Sequence, residues 1–201
     1  MCKFAAIMRM RKFATLKGLN ILTSLLLAAS LICIGKASWI SAKAIVAQML
    51  IAHAWQKTLT AGTKTKPWSW ADTWPVAALT TPAGETLYVL AGTNAQALAF
   101  GPGLLDQSTA PGQVGNTVIA GHRDTHFLFL EEIQQGDVIE VQSTSGLVYK
   151  YRVDHMDIVD STKQQVHLQQ QKAELVLITC YPFHALNAGG PLRYVVHASL
   201  L

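Results

Sequence analysis

The feature that most constrains this chain is an uncharged run from Gly18 to Gly35, 18 residues in length. At ~1.5 Å per residue a helix of that length reaches roughly 27 Å, enough to cross the hydrocarbon core of a bilayer. Lys3, Arg9, Arg11, Lys12 and Lys17 precede it with no acidic residue among them. Basic residues stay on the cytoplasmic side, so the N-terminus is expected in the cytoplasm and the rest of the chain outside it. A cleaved signal peptide is the alternative, with Ala42-Lys43-Ala44 as a small-residue cleavage site. The apolar run exceeds the ~7–15 residues usual for that class, which favours a retained anchor. Cys33 follows Leu31-Ile32 rather than two small residues, which argues against a lipoprotein.

The formal charge of +4 belongs to this leader. Without its five basic residues the chain keeps 11 Lys and Arg against 12 Asp and Glu, and from Asp72 onward 6 against 12. An acidic exported portion lacks the basic surface that nucleic-acid binding requires.

The spacing of Ile40, Ala44, Ala47 and Ile51 predicts a helical stalk over 37–60, with Trp39 at the membrane end. A polar, proline-containing stretch then leads into Trp68, Trp70 and Trp74. So much aromatic surface packs either on the following domain or at the membrane interface. The boundaries expected are a leader over 1–17, an anchor over 18–36, a stalk and Trp-rich linker over 37–71, and an exported domain over 72–201.

From Val76 the pattern is mainly strands. Runs at 86–91, 116–120, 137–142, 148–153 with an extension over 154–159, 175–179 and 192–199 read as β, and Ser145-Gly146 reads as a hairpin turn. The unbroken apolar run Leu175-Val176-Leu177-Ile178 suits a strand buried on both faces. One short helix is expected near 127–134. The class is all-β, a compact antiparallel barrel or sandwich.

Cys180 ends that apolar run and is the only cysteine beyond the anchor, since Cys2 and Cys33 lie in the leader and the span. Exported proteins pair their thiols or lose them, so a solitary one suggests reactivity. His122 follows the 116–120 strand through Gly121, and Arg193 opens the last strand. Rigid strands that deliver a thiol, an imidazole and a guanidinium to one rim describe a covalent acyl-transfer site: nucleophile, proton carrier and oxyanion donor. Other histidines follow the stalk (His126, His155, His167, His184, His197), and a histidine taken at random is more often structural. No His-Glu-x-x-His or paired Cys-x-x-Cys occurs, so no metal and no cofactor is expected. His122-Arg123-Asp124 echoes a kinase catalytic loop, but no glycine-rich phosphate loop precedes it.

These residues resemble the sortases, membrane-anchored bacterial cysteine transpeptidases. Asn116-Thr-Val-Ile-Ala-Gly-His122 is similar to the family segment that delivers the histidine, Leu175-Val-Leu-Ile-Thr-Cys180 to the apolar-Thr-Cys signature, and Leu192-Arg193-Tyr-Val-Val to the arginine strand. The stretch Lys66–Ala77 resembles a proteobacterial subgroup that often serves one dedicated partner. The resemblance implies a closed β-barrel of about eight strands. It implies that Cys180 attacks the Thr–Gly bond of a C-terminal Leu-Pro-x-Thr-Gly-like sorting signal, forming a thioester that an amine acceptor resolves. His122 would act as acid and base, and Arg193 would bind substrate backbone or oxyanion. Thr179, Asp124 and His126 are further candidates for contact with substrate. The implied location is the cytoplasmic membrane, single-pass, with the catalytic domain outside and the lipid bilayer as a partner. Two alternatives remain: another exported cysteine acyl-transferase of the L,D-transpeptidase kind, and an anchored barrel that binds a peptide without turnover.

Overall fold

The computed structural model describes residues 2–163, 171–185 and 189–201, with side chains at Asn20 and from Thr23 onward. His167 lies outside these residues. Two compact units are present, Met1–Val46 and Ala47–Leu201.

The first unit is helical. Helix α1 (Cys2–Ala61) contains no proline, and Thr23–Ala61 within it is long and apolar enough to cross a membrane. The expected stalk helix is continuous with the expected span. α1 ends at Gly62, whose φ of 64° is a left-handed value that favours glycine, and whose N–H bonds to the Thr58 carbonyl at 3.0 Å.

The second unit begins within the same helix. Ile51, Ala54, Trp55 and Thr58 are buried. Ile51 clusters with Leu90 and Ala97, and Trp68, Tyr88 and Phe100 pack against that cluster. Trp68 meets Phe100 edge to face at 5.1 Å. Trp70 is 76% exposed, so the tryptophans divide between packing and surface.

Eight strands close into a barrel: β1 (Pro75–Thr80), β2 (Thr86–Ala91), β3 (Gly103–Leu104), β4 (Gly115–Ala120), β5 (Val138–Ser143), β6 (Val148–Asp160), β7 (Ala173–Cys180) and β8 (Leu192–Leu200). Their order around the barrel is β1-β2-β3-β4-β7-β8-β6-β5. The expectation of an antiparallel barrel is corrected in two places, because β2 pairs parallel with β3 and β4 pairs parallel with β7. The sequence reading also passed over β3, too short to have a period, and helix α2 (Ala95–Phe100). Asn94 caps α2, its Oδ1 accepting from the Ala97 N–H at 2.8 Å. The short helix expected near 127–134 is a 3₁₀ turn at Leu128–Glu131.

Strand alternation divides the side chains between two surfaces. Leu175 and Leu177 of β7, Ile119 of β4 and Val196 and Ala198 of β8 join the core inside the barrel. Val176, Val118 and Val195 form a separate cluster with Val159 on the outer face, and Ile178 packs against it. β7 is therefore buried on both faces, as its unbroken apolar run predicts. On β6 the register shifts between Val153 and His155. Before the shift the odd residues Tyr151 and Val153 face inward. After it Met156 packs against the inner core, and His155, Asp157 and Val159 lie on the outer face.

Candidate active site

Three strand ends converge on one patch of the outer face. β7 ends at Cys180, on the same side as Val176 and Ile178 by alternation, and Cys180 is a free, half-buried thiol. Cys180 pairs directly with Arg193 across the antiparallel β7–β8 ladder. On the other flank β4 runs parallel to β7 with Ala120 opposite Ile178, and the Gly121 N–H extends that ladder to the Ile178 carbonyl at 3.1 Å. His122 follows two residues beyond the last paired residue, on the exposed segment after β4. Cys180 and Arg193 thus face each other on neighbouring strands, about 4.8 Å from strand to strand, while β4 leads to His122 from the other edge of β7.

Gly121 makes this arrangement possible. A Cβ added there would lie 2.8 Å from Cγ of Phe127, a fully buried core ring. The absent side chain lets the ring pack beneath the chain, while the alternation that points residue 121 inward points His122 outward. The His122 carbonyl accepts the Phe127 N–H at 3.0 Å and fixes the turn.

Arg193 is half-buried, and its Nη1 donates to the Gly190 carbonyl at 2.7 Å and the Leu192 carbonyl at 2.9 Å. These bonds orient the guanidinium through one nitrogen and leave the Nη2 and Nε donors for other acceptors. Thr179, expected among the substrate contacts, faces the barrel interior. It is buried, and its Oγ1 donates to the Gly121 carbonyl at 2.7 Å. That bond ties β7 to the segment after β4.

Asp124 is exposed, and its Oδ1 accepts from Nε of Arg123 at 3.2 Å. Its carboxylate is thereby turned toward Arg123. His126 is half-buried; burial holds its pKa below the usual imidazole value, and the nearby His122 pushes in the same direction against Glu85. Arg123, beside them, is 5% exposed. Its Nη2 donates to the Ala185 carbonyl at 3.0 Å, fastening the segment after β4 to the segment after β7. Nε2 of His184 and Oε1 of Glu131 add a second tie at 2.9 Å. Nothing in the sequence marks either partner. Beneath the patch Tyr181, Phe183 and Tyr194 form an aromatic cluster, with Phe183 and Tyr194 edge to face at 5.2 Å. Burial, and then Tyr181, raise the pKa of Tyr194, which remains a neutral phenol.

A thiol paired with a guanidinium, with a histidine on the segment after the neighbouring strand, offers the residue types of a covalent acyl-transfer site. The comparisons with known proteins agree with that class. Residues 80–201 match the family model for the sortase domain, and the chain belongs to the sortase family. It is 35% identical over 112 residues to Sortase D of Bacillus subtilis, an alignment that takes in 55% of this chain and 56% of that protein's length. Among solved structures it resembles a Clostridium perfringens Sortase D5 transpeptidase, with a TM-score of 0.61 at 19% identity, covering 78% of this chain and 98% of that one. It also resembles Listeria monocytogenes sortase A, with a TM-score of 0.55 at 25% identity, covering 63% and 87%.

Proposed function

We propose that this protein is a membrane-anchored cysteine transpeptidase. The carrying observation is that Cys180 pairs with Arg193 in the β7–β8 ladder, while β4, which leads through Gly121 to His122, runs parallel along the other edge of β7 with Ala120 opposite Ile178. In the forward step the Cys180 thiolate attacks the Thr carbonyl of a Leu-Pro-x-Thr-Gly-like signal. The oxyanion collapses, the Thr–Gly C–N bond breaks, and His122 gives a proton to the departing glycine amine. The product is a thioester between Cys180 and the threonine. An incoming amine then attacks that carbonyl, His122 takes its proton, and the Cys180 thiolate departs. The Arg193 donors left over from its own backbone bonds suit the substrate backbone or the oxyanion, and a planar fork serves there better than an ammonium.

The apolar helix supports anchoring in the cytoplasmic membrane, and the basic leader supports a cytoplasmic N-terminus. The catalytic domain then works outside the cytoplasm, on a protein substrate bearing a sorting signal. Service to one dedicated partner in a proteobacterial envelope rests on the tryptophan-rich segment alone.

The test is covalent trapping. The full chain in detergent, given a Leu-Pro-x-Thr peptide carrying a vinyl sulfone, should gain one adduct mass at Cys180, and Cys180→Ala should gain none. Arg193→Lys should trap at a rate at least tenfold lower while keeping the fold. With Cys2 and Cys33 replaced by Ser in both chains, an adduct that survives Cys180→Ala ends the mechanism. Reversible peptide binding without any adduct would favour the non-catalytic barrel.

A further inference from the structure

The same outer face carries a second group of chemically able side chains, four residues along β8 from Arg193. At ~3.4 Å per residue this is about 14 Å from the Cys180–Arg193 pair. His155 of β6 pairs with His197 of β8, and their rings stack at 4.6 Å with planes 4° apart. Nδ1 of His197 lies 2.8 Å from Oε1 of Glu174, and both side chains are more than nine-tenths buried. Nε2 of His155 lies 3.4 Å from Oδ2 of Asp157. One ligand atom each from His155, Asp157 and His197 falls within 4.8 Å of the others.

We propose that His155, Asp157 and His197 form a binding site for a borderline divalent transition metal of the zinc class. Its donors are two imidazoles and a carboxylate, a set that suits Zn²⁺ and its first-row neighbours rather than the all-oxygen preference of Ca²⁺ or Mg²⁺. The buried Glu174 supplies the independent mark of a built site. A carboxylate on one ring nitrogen fixes the tautomer and orientation of a metal-binding histidine and leaves the other nitrogen for the ion. Glu174 takes Nδ1 of His197, so Nε2 is the ligand. Parallel stacked rings cannot both hold an ion in their planes as they stand. The exposed His155 ring must swing out of the stack, and with an exposed neighbour in Asp157 it has room to do so. The three side chains share the outer face because the β6 register shift reverses the alternation after Val153. Without it His155 and Asp157 would point into the core. Three protein ligands leave a coordination position open to water at the surface.

The test uses tag-free full chain carrying Cys2→Ser, Cys33→Ser and Cys180→Ala, so that no thiol can bind the ion, titrated with Zn²⁺ by calorimetry in detergent at neutral pH. One Zn²⁺ per chain is expected. Asp157→Asn and His155→Ala, both at exposed positions, should each weaken binding at least tenfold, with circular dichroism unchanged. Glu174→Gln should weaken it roughly 10–100-fold at the same stoichiometry. A hundredfold excess of Ca²⁺ should not displace the Zn²⁺. The site does not exist if no saturable binding occurs, or if His155→Ala and Asp157→Asn leave the isotherm unchanged. Displacement by Ca²⁺ would overturn the metal class.

Discussion

Replacing Gly121 with alanine tests how the barrel sets the histidine. The added Cβ would stand 2.8, 2.9 and 3.0 Å from Cγ, Cδ2 and Cδ1 of Phe127, where an ordinary carbon contact is about 3.5–4.0 Å. Either the ring or the strand must move by roughly 0.7 Å. The ring is fully buried among Leu130 and its neighbours, so movement there overpacks the core, at a cost of about 1–3 kcal/mol. For a chain of this size that corresponds to a fall of about 2–12 °C in Tm. If the strand moves instead, His122 moves with it, and misplacement approaching 1 Å costs up to about 100-fold in rate. The assay is a double-mutant cycle in the full chain: Gly121→Ala, Phe127→Leu and the pair, read by thermal unfolding and by the rate of peptide trapping. Leucine vacates the space beside the ring atoms, so the pair should lose less than the sum of the single losses, with a coupling of at least ~1 kcal/mol. Equal cost of Gly121→Ala in both backgrounds would refute the steric argument.

Two further substitutions address neighbouring residues. Thr179→Val keeps the shape but removes the donor to the Gly121 carbonyl, and should cost about 1–3 kcal/mol in thermal or denaturant unfolding, lower kcat more than it raises KM, and be rescued by Thr179→Ser. His126 has a folded pKa below its unfolded value near 6.5, so the unfolded chain binds more protons in the interval between them. Its contribution to stability is complete above that interval and is lost as pH falls through it. Unfolding curves collected between pH 7.5 and 5 should therefore show a shallower acid decline for His126→Gln than for the parent chain.

Much of the barrel was legible because its longer strands carry the period-two or unbroken apolar signal. The ends expected for the strand at 86–91 are those observed, and the hairpin at Ser145-Gly146 turns where its glycine indicates. β1 was blurred by the tryptophan and proline segment before it, and two residues are too few for β3 to declare itself. The residue types of the candidate site were legible from local patterns: a lone thiol ending an apolar strand, a histidine after Gly121, an arginine opening the last strand. The pairing of Cys180 with Arg193 was not, because it depends on the β7–β8 register, nor was the parallel placement of β4 beside β7, a long-range property. The outward direction of Cys180 and the inward direction of Thr179 likewise follow from which face the barrel closes upon. Arg123 gave no signal as a buried tie, since its partner is a backbone carbonyl 62 residues away.

The parallel β4–β7 pairing has a kinetic consequence. Its partners are 58 residues apart in the chain, as the Thr179–Gly121 bond records. Contacts that must close so long an intervening loop are expected to form late, after the β1–β2 and β5–β6 hairpins. On the proposed mechanism the thiol and the imidazole would then be brought together only as folding completes, and reactivity would switch on at that stage. Pulse-labelled hydrogen exchange in which the β4 amides gain protection before those of the two hairpins would contradict this order.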